Sequence, residues 1–223
     1  MSEILPNCPF CGATKLYTLS TGQLKCSKCK KKFSPKRLQR EAKVLHCFCE
    51  GVSARECATR LRLNYLTIQR RYHRFRLAIA SFMESDFAAK RTTKAFDEYI
   101  YLPKSKRRDK RHIFDAFNFL TFNYDDKIYN LLLPDLARYK PAFLEDGLED
   151  IYFKEFERFL RRSHIQSSQD DLIRSFWRYF ESFIAKYHGV NRQNFFYYLK
   201  EAEFRFNFDC EKLTKIVNFS SRK

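Results

Sequence analysis

Apolar residues recur at helical spacing in the first third of the chain and predict three consecutive helices. The first covers residues 38–48 and ends at Gly51. Ser53 and Glu56 then form the S-x-x-E pattern, in which a hydroxyl and a carboxylate satisfy the free amides at a helix start. The short helix ARECATRL follows, and after a turn Asn64 caps the longer helix YLTIQRRYHRFRLAIASF. Two helices joined by so short a turn predict a helix-turn-helix.

Polar and apolar residues begin to alternate near residue 95, which predicts strands. AFDEYIYL (95–102), IFDAFNFLTF (113–122) and IYNLLLP predict three strands, and the turn NYDDK makes an antiparallel meander the expected arrangement. DIYFKEF predicts a fourth strand. Apolar residues then fall on one stripe of a long helix, DDLIRSFWRYFESFIAKY, which Gly189 ends before a further helix begins. Three antiparallel strands followed by mixed strand and helices predict an α/β layer of the ribonuclease H kind, a mixed sheet with flanking helices.

Composition indicates a folded and strongly basic protein. The chain has 223 residues, of which 44% are hydrophobic, and this is enough for one sizeable domain with one or two small ones. The formal net charge is +17, and residues 1–76 carry 17 Lys and Arg against 4 Asp and Glu, a net charge of +13. A positive field concentrated in this way attracts a polyanion, and nucleic acid is the usual one. A basic, soluble surface without a partner is the alternative.

The compartment is predicted from what the sequence lacks. No run of 18 uncharged apolar residues occurs, so we expect no membrane span. The start, MSEILPNCPF, lacks the basic region and the apolar run of a secretory signal. We therefore expect a cytoplasmic protein, associated with the nucleoid when it is bound to DNA. In that reducing compartment, paired cysteines hold a metal more often than they form disulfides.

Two C-x-x-C pairs lie near the N-terminus in the pattern C-x2-C-x14-C-x2-C. Their members are Cys8, Cys11, Cys26 and Cys29. A two-residue gap lets both sulfurs of a pair reach one ion, and two pairs complete the tetrahedral thiolate cage that structural zinc prefers. Such a site has no open position for water, so this metal would fold the domain and not catalyse. LYTLS and GQLKC between the pairs predict a hairpin, which completes the outline of a zinc ribbon.

An iron site or a redox dithiol is the alternative for this quartet. Four further cysteines lack a matching spacing, and we expect them to be small buried hydrophobic side chains. These are Cys47, Cys49, Cys57 and Cys210.

The second helix of the predicted helix-turn-helix carries donors that can reach base edges or phosphates when it lies in the major groove. These donors are Thr67, Gln69, Arg70, His73 and Arg74. We expect Leu66, Ile68 and Tyr72 to pack inward.

Three other arginines of this region are ambiguous. Arg71 and Arg76 are expected either to add contacts or to be solvated side chains. Arg62 stands where the turn often has a glycine with positive φ, and this predicts a looser turn than usual.

Several segments of the chain occur in the order found in one family. Behind a zinc ribbon they are GVSARECATRLRLNYLTIQRRYHRFR, FDEYIY, SFW, YHGV and YLKEAEFRFN. In this order they resemble the insertion-sequence DDE transposases that begin with a zinc ribbon and a helix-turn-helix, and the likeness covers nearly the whole chain. The resemblance implies a protein that binds the terminal inverted repeats of a mobile element as a dimer or larger assembly. It also implies cutting and joining of DNA at a ribonuclease H-like site with two divalent ions, Mg²⁺ or Mn²⁺.

The resemblance implies three acidic metal ligands, of which one is clearly present. Asp97 matches the first acid, in FDEYIY, but the positions of the second and third hold Lys154 and Arg174. A cation would repel a metal ion. A shift in register would supply Glu155 and Asp171 instead. That shift is acceptable on a helix, where residues three apart share a face, but on a strand a one-residue step turns the side chain to the opposite face.

The sequence therefore predicts three domains: a zinc ribbon at residues 1–33, a helix-turn-helix DNA-binding domain at 34–90 and a ribonuclease H-like domain at 91–223. Two functions are compatible with them. The first is a transposase that brings element ends together and transfers strands. The second is a catalytically inactive derivative that binds double-stranded DNA or regulates. A general zinc-ribbon scaffold or RNA-binding protein is a third alternative.

Overall fold

The computed structural model describes residues 7–90, 92–107, 110–134, 151, 154, 169–187 and 190–220. The chain divides into two units. The first, called the terminal unit below, combines Met1–Ala78 with Cys210–Lys223, and the second, the central unit, is Ile79–Asp209. The domain boundaries after residues 33 and 90 stay predictions.

A small antiparallel sheet begins the terminal unit. Its strands are β1 (Leu16–Thr18), β2 (Leu24–Cys26) and β3 (Lys32–Phe33), in the order β1-β2-β3. The hairpin of β1 and β2 confirms the prediction, whereas β3 is too short for its alternation to be detected in the sequence. Phe33 packs edge-to-face with Phe10 at a ring-centroid distance of 5.8 Å and shares an apolar cluster with Cys8 and Cys26.

Three helices follow in the terminal unit, the last of them continuing into the central unit. They are α1 (Pro35–Cys49), α2 (Ala54–Leu61) and α3 (Tyr65–Ala88). Helix α1 begins three residues before its predicted start, because the Ser34 hydroxyl accepts a hydrogen bond from the Arg37 amide and Pro35 suits a first helical turn. Gly51, with a φ of 73°, follows the end of α1 as predicted.

The turn between α2 and α3 keeps its tight geometry without a glycine. The predicted caps are confirmed, since Ser53 Oγ accepts from the Glu56 amide at 3.1 Å and Asn64 Oδ1 accepts from the Leu66 amide at 2.9 Å. Arg62 takes the left-handed conformation itself, with φ 50° and ψ 48°. This costs roughly 1–2 kcal/mol for a residue with a Cβ. The expected loosening of the turn is therefore not observed.

Aromatic residues pack α1 against α3, and Arg71 and Arg76 take part in the same contact. Phe48 contacts Tyr72 and Phe75 edge-to-face at ring-centroid distances of 4.9 and 5.4 Å. Buried Arg76 lies over the Phe48 ring at 5.7 Å. Half-buried Arg71 places Nη2 3.7 Å from Glu41 Oε1 of α1. Both arginines therefore stabilise the helix pair, and neither is a freely solvated side chain.

The central unit contains a second antiparallel sheet. Its strands are β4 (Ala95–Tyr101), β5 (Phe117–Tyr124) and β6 (Lys127–Leu132), in the order β4-β5-β6. The register places Asp97 opposite Thr121 and Thr121 opposite Asn130. Asp125 and Asp126, both with positive φ, form the two-residue turn between β5 and β6. The predicted three-stranded meander is confirmed.

Two strand predictions need correction. The second strand is expected from residue 113, but Lys110–Asp115 forms a 3-10 helix and β5 begins only at Phe117. The fourth predicted strand, DIYFKEF, lies mostly outside the described residues, and the two that are described, Ile151 and Lys154, are helical. A short apolar run does not distinguish a strand from a helix by its pattern alone.

Among the described residues, helices α4 (Asp171–Ile184) and α5 (Arg192–Asn207) pack against this sheet and share an apolar core with it. The predicted apolar stripe of α4 is confirmed. Its centre, Trp177, is fully buried, packs on Tyr99 at a ring-centroid distance of 4.8 Å and donates its indole N–H to Thr121 Oγ1 at 2.9 Å. Helix α4 ends at Ile184, and Gly189 lies outside the described residues. The fold is mixed α/β, and its assignment to the ribonuclease H class stays a prediction.

The last helix, α6 (Cys210–Ser220), belongs to the terminal unit and packs against α1. A disulfide joins Cys49 at the end of α1 to Cys210 at the start of α6. The expectation of buried thiols is wrong for these two residues, since Cys210 is exposed and Cys49 is half-buried. It is confirmed for Cys47 and Cys57, which are 5% and 0% exposed. A separation of 161 residues hides the disulfide from any spacing argument.

A network of buried polar side chains connects β6 to α5. Lys200 Nζ donates to the Asn130 carbonyl at 2.8 Å and lies 3.3 Å from Glu203 Oε2 and 3.0 Å from Glu84 Oε1. Glu203 also accepts from the amide and the side chain of Asn130, at 2.8 and 3.0 Å. Thr121 Oγ1 donates to Asn130 Oδ1 at 2.8 Å, which links the network to Trp177. These bonds offset the cost of burying charge, and they account for the lysine and the second glutamate of YLKEAEFRFN.

The network predicts a specific pH dependence of stability. Burial raises the pKa of Glu203 from 4.5 to about 7, although the charge of Lys200 and the bonds from Asn130 act to lower it. A raised carboxyl pKa contributes stability that is fully present below pH 4.5 and is lost as the pH rises through about 7. As the pH rises from 4.5 to about 7, wild type should lose this stability and Glu203→Gln should not. The free energy of unfolding of the variant, minus that of wild type, should therefore increase over this range. Urea unfolding followed by the fluorescence of the single tryptophan, Trp177, measures it.

Glu211→Gln is the matched control, because it removes the same charge from an exposed position of α6. A difference between Glu203→Gln and wild type that stays constant from pH 4.5 to 7 contradicts the prediction.

Candidate functional site

Two matching turns hold the four cysteines of the terminal unit. In the first, the Gly12 amide donates to the Cys8 carbonyl at 2.9 Å, and in the second the Lys30 amide donates to the Cys26 carbonyl at 3.2 Å. Gly12 and Lys30, each four residues after the first cysteine of its pair, both have positive φ, at 73° and 60°. Gly12 indicates a tight turn in the sequence, whereas Lys30, which has the same backbone conformation, gives no such indication. The two pairs therefore form equivalent knuckles.

The knuckles bring all four Sγ atoms to within 4.8 Å of one another. Cys8 Sγ lies 3.7 Å from Cys29 Sγ, and Cys11 Sγ lies 3.5 Å from Cys26 Sγ. A zinc ion with four thiolates at 2.3 Å requires sulfur separations of about 3.8 Å, so the donor set and its spacing fit zinc. Because all four ligands come from the protein, a bound zinc would stabilise the ribbon and supply no reactive position.

Hydrogen bonding and crowding shift the acidity of these thiols in opposite directions. The Cys29 amide donates to Cys26 Sγ at 3.4 Å and is the main reason why the pKa of Cys26 is lowered to about 6. A backbone hydrogen bond from Lys31 acts to lower the pKa of Cys29, but burial and the three neighbouring thiols outweigh it and raise that pKa to about 11. A divalent cation relieves this competition, because it binds all four sulfurs as thiolates.

Asp97 and Asp171, the two acids of the predicted catalytic site that the structure describes, do not join a comparable cluster. Among the residues that the structure describes, only the four cysteines form a group of three or more ligands close enough to share a metal ion. Asp97 is half-buried on β4, and its Oδ1 accepts from the Glu98 amide at 2.8 Å. Glu155 lies outside the described residues, and neighbouring Lys154 is exposed.

Asp171 and Arg174, at the start of α4, are paired with each other. The Asp171 side chain is 88% exposed, and one of its oxygens accepts from Arg174 Nη2. Neighbouring Asp170 caps α4 and accepts from Asn123 Nδ2 at 2.8 Å. Burial acts to raise the pKa of Asp170, but the bond from Asn123 and two backbone amides outweigh it and lower that pKa. The acids of this helix start therefore have structural partners.

The first turns of α3 present a polar face to solvent. Thr67, Gln69, Arg70 and Arg74 are exposed, His73 is half-buried, and Ile68 and Tyr72 are buried as expected.

The exposed face also includes apolar side chains. Leu66 is 55% exposed, so the expectation that it packs inward is wrong, and neighbouring Tyr65 is 46% exposed. Leu66 is two positions before Ile68 and so lies on the opposite side of α3 from the buried residues Ile68 and Tyr72. Tyr65 and Leu66 therefore form an exposed apolar surface beside Gln69 and Arg70.

A basic segment joins the cysteine cluster to α1. Between residues 28 and 40 seven lysines and arginines are exposed. They are Lys28, Lys30, Lys31, Lys32, Lys36, Arg37 and Arg40. Lys31 Nζ lies 4.8 Å above the Phe10 ring, and Arg37 Nε is 4.0 Å from Glu41 Oε1. This surface supplies much of the positive charge of the terminal unit, and its signal in the sequence is the run KCKKKFSPKR.

Comparison with known proteins identifies the ribbon. Residues 3–32 match the family model described as a transposase zinc-ribbon domain. This match supports a relationship to transposases, and the cysteine cluster is consistent with a structural zinc site. Searches of curated proteins and of solved structures returned no match for the chain.

The helices in the described part of the chain were also compared with the requirements of a membrane. None of them combines the length and the apolar character that a crossing requires.

The cysteine geometry predicts one zinc ion per chain. Chelation should unfold the ribbon while the fluorescence of Trp177, in the core of the central unit, stays unchanged, because metal binding and folding are coupled only where the ligands are. Cys26→Ser should abolish stoichiometric zinc, measured with a colorimetric chelator. Cys210→Ser is the control; it breaks the disulfide to Cys49 but removes no sulfur of the cluster, and it should retain zinc. Loss of the native Trp177 signal on chelation contradicts this separation.

Proposed function

We propose that this chain is a transposase-related protein that binds double-stranded DNA at the ends of a mobile element. The observation that carries the proposal is the match of residues 3–32 to a transposase zinc-ribbon domain, on a segment whose four sulfurs fit a zinc ion. The exposed basic segment that follows supports it, because positive charge next to the ribbon attracts the phosphate backbone.

In this proposal the terminal unit contacts DNA with two elements that have different tasks. The basic segment between residues 28 and 40 binds phosphates and positions the protein without reading sequence. Helix α3 enters the major groove with its first turns, where Gln69 suits adenine and Arg70 suits guanine. Leu66 and Tyr65 contact thymine methyl groups. Two copies would be needed to hold two element ends, and we include this self-association in the proposal.

The proposal has two forms, which differ in whether the protein also cuts DNA. In the cleaving form Asp97 works with Glu155 and Asp171 on Mg²⁺ or Mn²⁺. In the second form the protein is catalytically inactive and acts by binding alone. The ion pair between Asp171 and Arg174 supports the second form, because a cation beside a carboxylate competes with a metal ion for it. We therefore propose binding as the function, with cleavage lost.

DNA binding is tested with a duplex selected from a randomised library by the purified, zinc-loaded protein. Arg70→Ala should weaken binding to this duplex by about 1–3 kcal/mol if the side chain contacts a base. The affinity of wild type should fall linearly with salt on logarithmic axes, with a slope of about −0.9 for each phosphate neutralised. Fluorescence anisotropy of the labelled duplex measures both effects.

Arg178→Ala removes the same side chain from an exposed position of α4 and is the matched control. An affinity that hardly changes with salt contradicts the binding proposal. Equal affinity for single-stranded DNA or RNA supports instead the scaffold or RNA-binding alternative.

Cleavage is tested by incubating the selected duplex with the protein and Mg²⁺ or Mn²⁺. We expect binding without nicking, because Lys154 and Arg174 replace two carboxylates that divalent ions require. Strand breaks resolved on a denaturing gel measure the outcome. Nicking that disappears in Asp97→Asn would establish the cleaving form of the proposal.

A further inference from the structure

A cavity in the central unit has no role in the proposed binding of duplex DNA. Its volume is about 330 Å³, within the range of sites for small ligands. Its walls come from the ends of β4 and α4, the starts of β5 and α5, and the 3-10 turns at Lys104–Lys106 and Lys110–Asp115. Six secondary-structure elements meet there, so the cavity belongs to the folded core and not to a single loop.

Two cations and one carboxylate line this cavity. Asp115 Oδ2 lies 2.7 Å from Lys106 Nζ and 2.8 Å from His112 Nδ1. Burial acts to raise the pKa of Asp115, but the hydrogen bonds from Lys106 and His112 outweigh it and lower that pKa. Arg192 is the second cation. The lining has two cationic side chains and one carboxylate, a net charge of +1, and favours an anionic ligand.

The Arg192 guanidinium is held in a fixed orientation. Its Nη1 and Nη2 donate to the carbonyls of Phe114 and Ala116 at 3.2 and 3.5 Å, and its centre lies 5.1 Å from the Phe117 ring centroid. Phe117 in turn stacks on Phe195 at 3.7 Å. A planar cation fixed on an aromatic pair is ready for a flat ligand without a further loss of side-chain entropy.

Aromatic and aliphatic side chains form the remaining lining. Tyr101, Tyr187 and Ile184 are the main contributors. A fully hydrated inorganic anion gains little from such walls, and a purely apolar ligand would displace water from the charged side chains without replacing its hydrogen bonds. The lining therefore suits a molecule that joins a flat ring to an anionic group and presents a hydrogen-bond donor to Asp115. A nucleotide has all three features.

We propose that this cavity binds a single nucleotide unit of DNA, with the phosphate at Lys106 and Arg192 and the base against the aromatic wall. A base that enters it must be out of the duplex stack, as at a strand end. The assignment of this nucleotide to DNA rests on the proposed function. A free nucleotide would fit the same lining, and the experiments distinguish it from a nucleotide that is part of DNA.

The first experiment titrates the full-length, zinc-loaded protein with 2′-deoxyadenosine 5′-monophosphate, deoxyadenosine and inorganic phosphate at one ionic strength. Isothermal titration calorimetry should give one monophosphate per chain, with the nucleoside and the phosphate each bound at least about tenfold more weakly. Lys106→Gln and Arg192→Lys should each weaken the monophosphate about tenfold, because each removes charge-assisted or planar contacts. Arg178→Gln removes one charge from an exposed position outside the cavity and should leave this affinity unchanged.

The second experiment places 2-aminopurine at the phosphorylated 5′ end of a single-stranded oligodeoxynucleotide. Burial against the aromatic wall should change its fluorescence in wild type and Arg178→Gln, and not in Lys106→Gln. Binding of the free monophosphate without this change overturns the assignment to DNA. A monophosphate bound no more tightly than inorganic phosphate, or equally well by Lys106→Gln and Arg192→Lys, overturns the cavity as a nucleotide site.

The two proposals can fail independently. Cys26→Ser should abolish duplex binding and leave nucleotide binding intact, since the cysteine cluster and the cavity lie in different units. Nucleotide binding without any selectable duplex would contradict the proposed function alone. Thermal unfolding followed by Trp177 checks that Arg192→Lys is folded, and Lys106→Gln changes a partly exposed side chain that the core does not require.

Discussion

Four sulfur atoms confined to a few ångströms are the constraint on which the front of the molecule depends. The sheet that carries them has strands of three, three and two residues, too short to be stable without further support. Its buried apolar cluster consists of Cys8, Cys26 and Phe33, and two of these belong to the candidate zinc site. In effect the cysteine cluster is the core of this segment. The stability of the ribbon therefore depends on what holds the four sulfurs together.

The central unit has the opposite organisation, with a large aromatic core and a polar network that needs no metal. Trp177, Thr121, Asn130 and Glu203 are linked by hydrogen bonds across β5, β6 and two helices. Residues of the most distinctive segment, YLKEAEFRFN, are occupied in this network or in the core. A chain that lost its catalytic acids would therefore still have to keep that segment in order to fold. Likeness to a family in this region is evidence for the fold and weak evidence for chemistry.

The sequence was most informative where a pattern repeats or where a local hydrogen bond decides the structure. The apolar stripe of α4, the Ser53 and Asn64 caps and the spacing of the cysteines all follow from contacts within a few residues, and each was predictable. The inward packing expected for Leu66 was wrong on the same ground, because a residue two positions before Ile68 lies on the opposite side of α3. The pairing of Cys49 with Cys210 and the cavity at Arg192 depend on segments brought together by the fold. Such features leave no periodic signal.

The terminal unit is discontinuous in sequence, since it combines the first 78 residues with a helix that begins at Cys210. During synthesis on the ribosome, the whole central unit emerges before the last helix that packs on α1 exists. The central unit can therefore fold while the terminal unit still lacks α6. Until α6 is synthesised, the surface of α1 that it covers stays exposed. Loss of α6 would therefore damage the terminal unit more than the central unit.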